Sequence, residues 1–363
     1  MSRLFYNYVS GFSIVKIHSM CILTLFSKVI QINQDPVESR TDKVCAIFCL
    51  HFIQSFDNFH HSTNHFKEDK MKKTAIALMC LGCILFVFSP LTAQKIEDFV
   101  SSYTNQNGQK YMQPLGDAFG ANLNSGWYHS ARISTLGLHI YIGAELMVAQ
   151  IGDKQKTFTA TTEGSFYPET EIKAPTIFGN PDPVSVSNSI AGITYKFPGG
   201  MDVKMVPLVV PQVTVGSVLG TEASIRWVDF KIGKDLGKLS LMGVGVRHSI
   251  SQYIPLIPVD LSVGFFMQNF KVGDIVKATS TFMGVQGSVK ASILTVYGGI
   301  GYEKANIKIN YTSDYGNISF NFDAQNKMRM NVGAAMNLLG LNIHADYNLA
   351  TQNVLVLGVG LGF

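Results

Sequence analysis

The stretch NVLVLGVGLGF, residues 353–363, decides how the rest of the chain is read. Taking every second residue gives Leu355, Leu357, Val359, Leu361 and Phe363 in one set, and Gly358, Gly360 and Gly362 in the other. Successive side chains of a strand point to opposite faces. One face is therefore bulky and apolar throughout, and the other is nearly bare. Lipid is the solvent that suits such a face, with the bare side turned to a lumen.

The same period of two recurs upstream. It is strong in LGLHIYIGAELMV (136–148), TEASIRW (221–227), VDLSVGFFM (259–267), MRMNVGAAMNL (328–338) and LNIHADYNLA (341–350). It is weaker in PQVTVGSV (211–218), SLMGVGVRHSI (240–250), TFMGVQGSV (281–289) and LTVYGGIGYE (294–303). Soluble sandwiches alternate too, but their outer faces are rich in Lys, Glu and Thr. Here the polar set is mostly Gly, Ser, Asn and Gln with isolated charges, as a hydrated interior requires. The pattern predicts an all-β fold, a transmembrane antiparallel β-barrel over 134–363. About 10–12 strands are expected, with about 14 possible. Tight turns are expected at Leu339–Gly340 and Gly220–Thr221. The segment 152–207 has room for one more hairpin, with KTFTATT and IAGITYKF as its strands.

Alternation also assigns the lumen. The first strands contribute His139, Tyr141, Glu145, Glu222 and Arg226. Arg247, Asp260, Arg329, Asn331, Asn342, His344 and Asp346 complete the predicted lining. Both signs of charge are present, so ion pairs that brace the barrel are expected rather than a selectivity ring of one sign. His344 and Asp346 share one face of one strand, about 7 Å apart along it; they could serve as base and orienter, but no serine is placed to complete a triad, and two polar side chains wetted by the lumen are expected instead. No catalytic residue is assigned, no enzymatic activity is expected, and the mature part carries no phosphate loop, metal or cofactor motif.

The front of the chain has a different character. MKKTAIALMCLGCILFVFSPLTAQ (71–94) has two lysines, an apolar core, Pro90 and Ala93, the layout of a signal peptide over 71–93. Its core is shorter than a spanning helix requires. Cleavage is expected between Ala93 and Gln94. Residues 1–70, with His60, His61 and His65, are expected to be a spurious extension of the coding start. Removing everything before Gln94 takes away all five cysteines, so no disulfide is expected. It also removes nine Lys and Arg and six Asp and Glu, which leaves 20 against 19 and no basic surface for nucleic acid.

Between the two parts lies a helical segment, 94–133. Ile96, Phe99, Val100, Tyr103 and Tyr111 form an apolar stripe, and Gly108 and Pro114 are expected to keep the helices short. The stripe needs burial, at the periplasmic rim or, preferably, as a plug in the lumen.

Three resemblances add to this. Leu357, Val359, Leu361 and Phe363 resemble the C-terminal insertion signal of bacterial outer-membrane barrels, which implies the barrel assembly machinery and periplasmic chaperones as partners. ANLNSGWYHSA (121–131), PQVTVGSVLGTEASIRW (211–227) and VYGGIGYEK (296–304) resemble an uncharacterised family of exported barrels of Gram-negative bacteria. More distantly, a helical segment ahead of a barrel resembles fatty-acid-uptake-type outer-membrane transporters, although their Asn-Pro-Ala hatch signature has no match here. The resemblances imply the outer membrane as location, its lipid as partner and porin-like passive passage of small or hydrophobic solutes. A non-transport barrel for envelope integrity or docking is the alternative.

Overall fold

The computed structural model describes residues 105–362 apart from 165, 189–191, 232–236, 255–256 and 314–315, all within the second of two compact units, Ala77–Phe363. The extension 1–70 with its histidines, the signal-like stretch 71–93, the Ala93–Gln94 cleavage point, the stripe positions 96–103 and Phe363 lie outside the described residues.

One helix, α1 (Asn105–Asn124), precedes β1 (His139–Gln150). Two short hairpins follow, β2 (Thr157–Thr161) with β3 (Glu171–Pro175), and β4 (Val184–Asn188) with β5 (Ile193–Phe197). Then come β6 (Met205–Val218), β7 (Thr221–Lys231), β8 (Lys238–Ser249), β9 (Asp260–Val272), β10 (Val276–Ala291) and β11 (Leu294–Ser313). The last four are β12 (Gly316–Asp323), β13 (Met328–Leu338), β14 (Leu341–Leu349) and β15 (Val354–Gly362).

The main sheet runs β10-β9-β8-β7-β6-β1-β15-β14-β13-β11, and the β10–β11 pairing closes it. Ten antiparallel strands make the barrel, within the expected range. β12 is an eleventh strand, paired with β11 alone. It covers Asn306–Ser313 of β11 while β13 covers Leu294–Tyr302, so β12 and β13 are two halves of one interrupted strand. Closure leaves no free edge at membrane height, which lipid demands because it cannot hydrogen-bond a backbone.

The first strand pairs with the last, Ile142 opposite Leu361 and Leu146 opposite Leu357. This register explains the bare face of β15. A Cβ at Gly358 would stand 2.1 Å from His344 Nε2 and 2.2 Å from Glu145 Oε2. Glycine is required there because side chains from β14 and β1 meet over it.

Three sequence expectations are corrected. The tight turn lies at Leu219–Gly220, both at positive φ, with Thr221 already in β7. Segment 152–207 holds two hairpins rather than one. KTFTATT and IAGITYKF both contribute strands, but each pairs with a nearer partner, EIKAP and VSVSN respectively. Pro114 does not end the helix, since α1 is continuous through it for 20 residues. Packing overrides propensity at that point. At Gly120 an added Cβ would lie 2.8 Å from Ala305 Cβ and 2.9 Å from Ala324 Cβ, so the helix backbone sits directly on the wall.

Along the strands the facing rule reverses without any change of register. In β11 the outward side chains Leu294, Val296, Ile300 and Tyr302 give way to Lys304, Asn306, Lys308 and Asn310. The inward ones change from Tyr297, Gly301 and Glu303 to Ala305, Ile307 and Ile309. β9 changes outward from Phe265 and Met267 to Asn269 and Lys271, and inward from Gln268 to Phe270. β7 changes outward from Ile225 and Trp227 to Asp229 and Lys231, and inward from Arg226 to Val228 and Phe230. The apolar belt below the reversal faces lipid. Above it water lies outside, and an apolar interior forms that α1 and the two hairpins fill. Among the described residues, no helix is long and apolar enough to cross a membrane.

Candidate functional site: the lumen and the segment that occupies it

The barrel has two unlike ends. At one, short connections at Leu219–Gly220, Ser292–Ile293 and Leu339–Gly340 lie with the start of β1 and the end of β15. At the other lie segment 151–204 and the projecting β11–β12 hairpin. We call them the turn end and the loop end. α1 begins at the loop end, where Asn107 Nδ2 donates to Thr161 O at 2.7 Å and Tyr111 OH donates to Gly199 O at 2.9 Å.

From α1 the chain descends through the interior, and residues 124–131 touch strands on every side. Trp127 stacks on Phe266 of β9 at 5.0 Å, with the Arg226 guanidinium of β7 3.8 Å over its ring. Tyr128 OH donates to Asn331 Oδ1 of β13 at 2.7 Å, and its ring meets Tyr297 of β11 edge-on at 6.2 Å. His129 packs against Tyr141 of β1 and stacks on His344 of β14, each at 4.7 Å. Ala131 N donates to Ser288 Oγ of β10 at 3.0 Å.

Three arginines hold the segment by its backbone. Arg226 Nη1 donates to Ser125 O at 3.0 Å. Arg247 Nη1 donates to Ser130 O, and Arg329 Nη2 to Asn124 O. Arg329 Nη1 also donates to Ser125 Oγ at 2.6 Å. Each arginine is fixed in turn by the wall: Arg226 Nε donates to Gln212 Oε1 at 2.9 Å, Arg247 Nε to Glu222 Oε1 at 2.8 Å, and Arg329 pairs with Glu303 at 3.0 Å. A guanidinium suits this role because its planar fork serves a carboxylate and a carbonyl together. Among the described residues no backbone ladder joins 124–131 to any strand.

The predicted lining falls as follows. Tyr141, Glu145, Glu222, Arg226, Arg247, Arg329, Asn342, His344 and Asp346 are buried inside the barrel, while His139, Asp260 and Asn331 are half-buried. His344 and Asp346 do not bond each other. His344 Nε2 lies 2.9 Å from Glu145 Oε2 and its Nδ1 2.8 Å from Asn342 Oδ1. Asp346 accepts from Tyr297 OH at 3.0 Å and from Asn348 Nδ2 at 2.6 Å. Both imidazole nitrogens are engaged, and neither faces a hydroxyl. Leu357, Val359 and Leu361 of the insertion signal lie on the outer face of β15. Sequence reasoning missed Glu303, Gln212 and Tyr297, which sit on strands whose alternation is weaker. It also missed the wall contacts of 124–131, for which the aromatic run Trp127–Tyr128–His129 was the available signal.

Among solved structures, the chain is similar to Ail, the attachment invasion locus protein of Yersinia pestis, with 10% identity, TM-score 0.23, and 63% of this chain and 100% of that one covered. The translocator domain of the autotransporter NalP from Neisseria meningitidis gives 12% identity, TM-score 0.26, and 73% and 97% coverage. The Ralstonia pickettii toluene transporter TbuX gives 7% identity, TM-score 0.24, and 65% and 92% coverage. No curated protein matches the chain. The model of a family of unknown function matches residues 71–363, a span that includes the whole closed barrel, and the chain belongs to that family, DUF6588.

Proposed function

We propose that this protein is an outer-membrane barrel for the passage of small or apolar solutes, shut at rest by residues 105–131. The closed sheet and its outward apolar belt support a membrane location, and the long segment 151–204 with the projecting β11–β12 hairpin at one end, against an end where only the β8–β9 connection exceeds two residues, supports an orientation with the loop end outside the cell. The observation that carries the reading is the attachment of 124–131. Arginine-to-carbonyl contacts and ring packing hold it, with no strand pairing, so its displacement breaks side-chain contacts and leaves every ladder intact. The wall behind α1 is lined by Leu241, Phe270, Ile307 and Phe322, a surface for an apolar solute rather than an ion. A second reading, a permanently closed barrel for envelope integrity or docking, is favoured by the buried Arg247–Glu222 and Arg329–Glu303 pairs, each between neighbouring strands of the lumen wall.

One variant separates the two. Ser130 Oγ and Ser288 Oγ lie 3.4 Å apart, and the chain from Gln94 onward has no cysteine. In S130C/S288C a disulfide would tie the segment to β10. Refolded in liposomes, the wild type should admit an apolar fluorescent probe, the oxidised variant should not, and reductant should restore entry. A wild type that admits neither probe nor ions, or an oxidised variant as permeable as the reduced one, would refute gated passage.

A further inference from the structure

The outer face of the loop end carries an arrangement that costs energy unless something pays for it. In the ladder register Lys277 of β10 stands opposite Lys271 of β9 on one side and Lys308 of β11 on the other. All three point outward, alternating with the inward Phe270, Ala278, Ile307 and Ile309. Directly opposed residues stand about 5 Å apart, and like charges there repel. Nearby acids offset this only in part. Asp274 is 3.5 Å from Lys277 and fully exposed, Asp229 pairs with Lys238 at 2.9 Å, and Asp323 accepts from Asn306 at 3.0 Å. Among the described residues, Lys271, Lys304 and Lys308 have no ion-pair partner.

The height of the row indicates the anion it suits. The outward apolar belt ends at Met267 in β9 and Tyr302 in β11, and Lys304 is the first outward position above Tyr302. Lys271 lies four residues beyond Met267, about 13 Å along the strand, or roughly 10 Å of height once barrel tilt is allowed for. That is deeper into the aqueous side than the roughly 5–7 Å of a simple headgroup layer. We infer that Lys271, Lys277 and Lys308, with Lys304 below them, bind the phosphorylated sugar headgroup of an outer-leaflet glycolipid, whose acyl chains lie against Met267, Met283 and Tyr302. The inference rests on the outer-membrane reading with the loop end outside.

The test uses the full protein in phosphatidylcholine vesicles with and without added lipopolysaccharide, compared with K271Q/K277Q/K308Q and with K173Q/K196Q, exposed lysines of the β2–β3 and β4–β5 hairpins. Each basic residue near an anionic surface contributes roughly fivefold to binding, so the triple variant should bind lipopolysaccharide about a hundredfold more weakly. The hairpin control should bind like the wild type. Inorganic phosphate and phosphatidylglycerol vesicles should compete poorly. Equal binding by wild type and triple variant, or full competition by free phosphate or phosphatidylglycerol, overturns the glycolipid site. Fractionation separates the two levels of the argument: a wild type recovered in the outer membrane with binding unaffected by the triple change sinks this inference alone, whereas a wild type absent from that fraction sinks the reading beneath it.

Discussion

The membrane-height half of the barrel and its loop-side half are built by the same strands, yet they solve opposite problems. Below Tyr302, lipid takes the apolar side chains outward and the interior fills with arginines, carboxylates and a strand-free stretch of chain. Above Lys304, water takes the lysines and asparagines outward, and the interior becomes a hydrophobic core around α1. Pleat and register are unchanged across the boundary; only the solvent outside differs. A strand is thus not amphipathic in one sense along its length, and the residue pair at which the sense reverses marks the edge of the bilayer.

The largest effect tests the interior of the membrane-height half. Arg329→Ala leaves Glu303 buried without its partner, and should cost about 3–5 kcal/mol in urea unfolding of the refolded protein. A loss under about 1 kcal/mol would mean that this half is wet rather than packed. Next comes the boundary itself. Val332→Arg, on an outward position 56% exposed in the belt, should cost about 2–4 kcal/mol, whereas Asn310→Arg, outward on the loop side, should change stability little. Similar costs at the two positions would erase the contrast. Asn342→Arg, which an open pore would accommodate, should also be costly, because Asn342 is buried beside His344.

A smaller effect probes the loop-side core. Gly120→Ala forces α1 away from Ala305 and Ala324 and should cost about 1–3 kcal/mol, with faster proteolysis of the helix as a second readout. The smallest is expected at the loop-side surface. Lys238→Gln removes an exposed pair with Asp229 and should cost no more than about 1 kcal/mol, less in high salt.

Legibility followed the same division. At membrane height the alternation in β13, β14 and β15 was clean, and the outward set Val332, Ile343 and Leu357 is read from it directly. On the loop side the apolar residues of AlaAsnIleLysIleAsn (305–310) keep the period of two but carry it on the opposite face, and period alone does not say which face water touches. The lumen was legible as a set of polar positions but not as a network. Glu145 reaches His344 across 199 residues of sequence, and Arg329 reaches Asn124 across 205.

From its residues alone the chain determined strand character, the lipid-facing side at membrane height and the barrel class, because these depend on side-chain alternation and solvent, both local. Only the tertiary structure decided that ten strands close, that Pro114 lies within a single helix, that the helix enters from the loop end, and that three arginines hold Asn124, Ser125 and Ser130 by their carbonyls. Those outcomes depend on which distant groups compete for the same interior volume, and no local pattern records that competition.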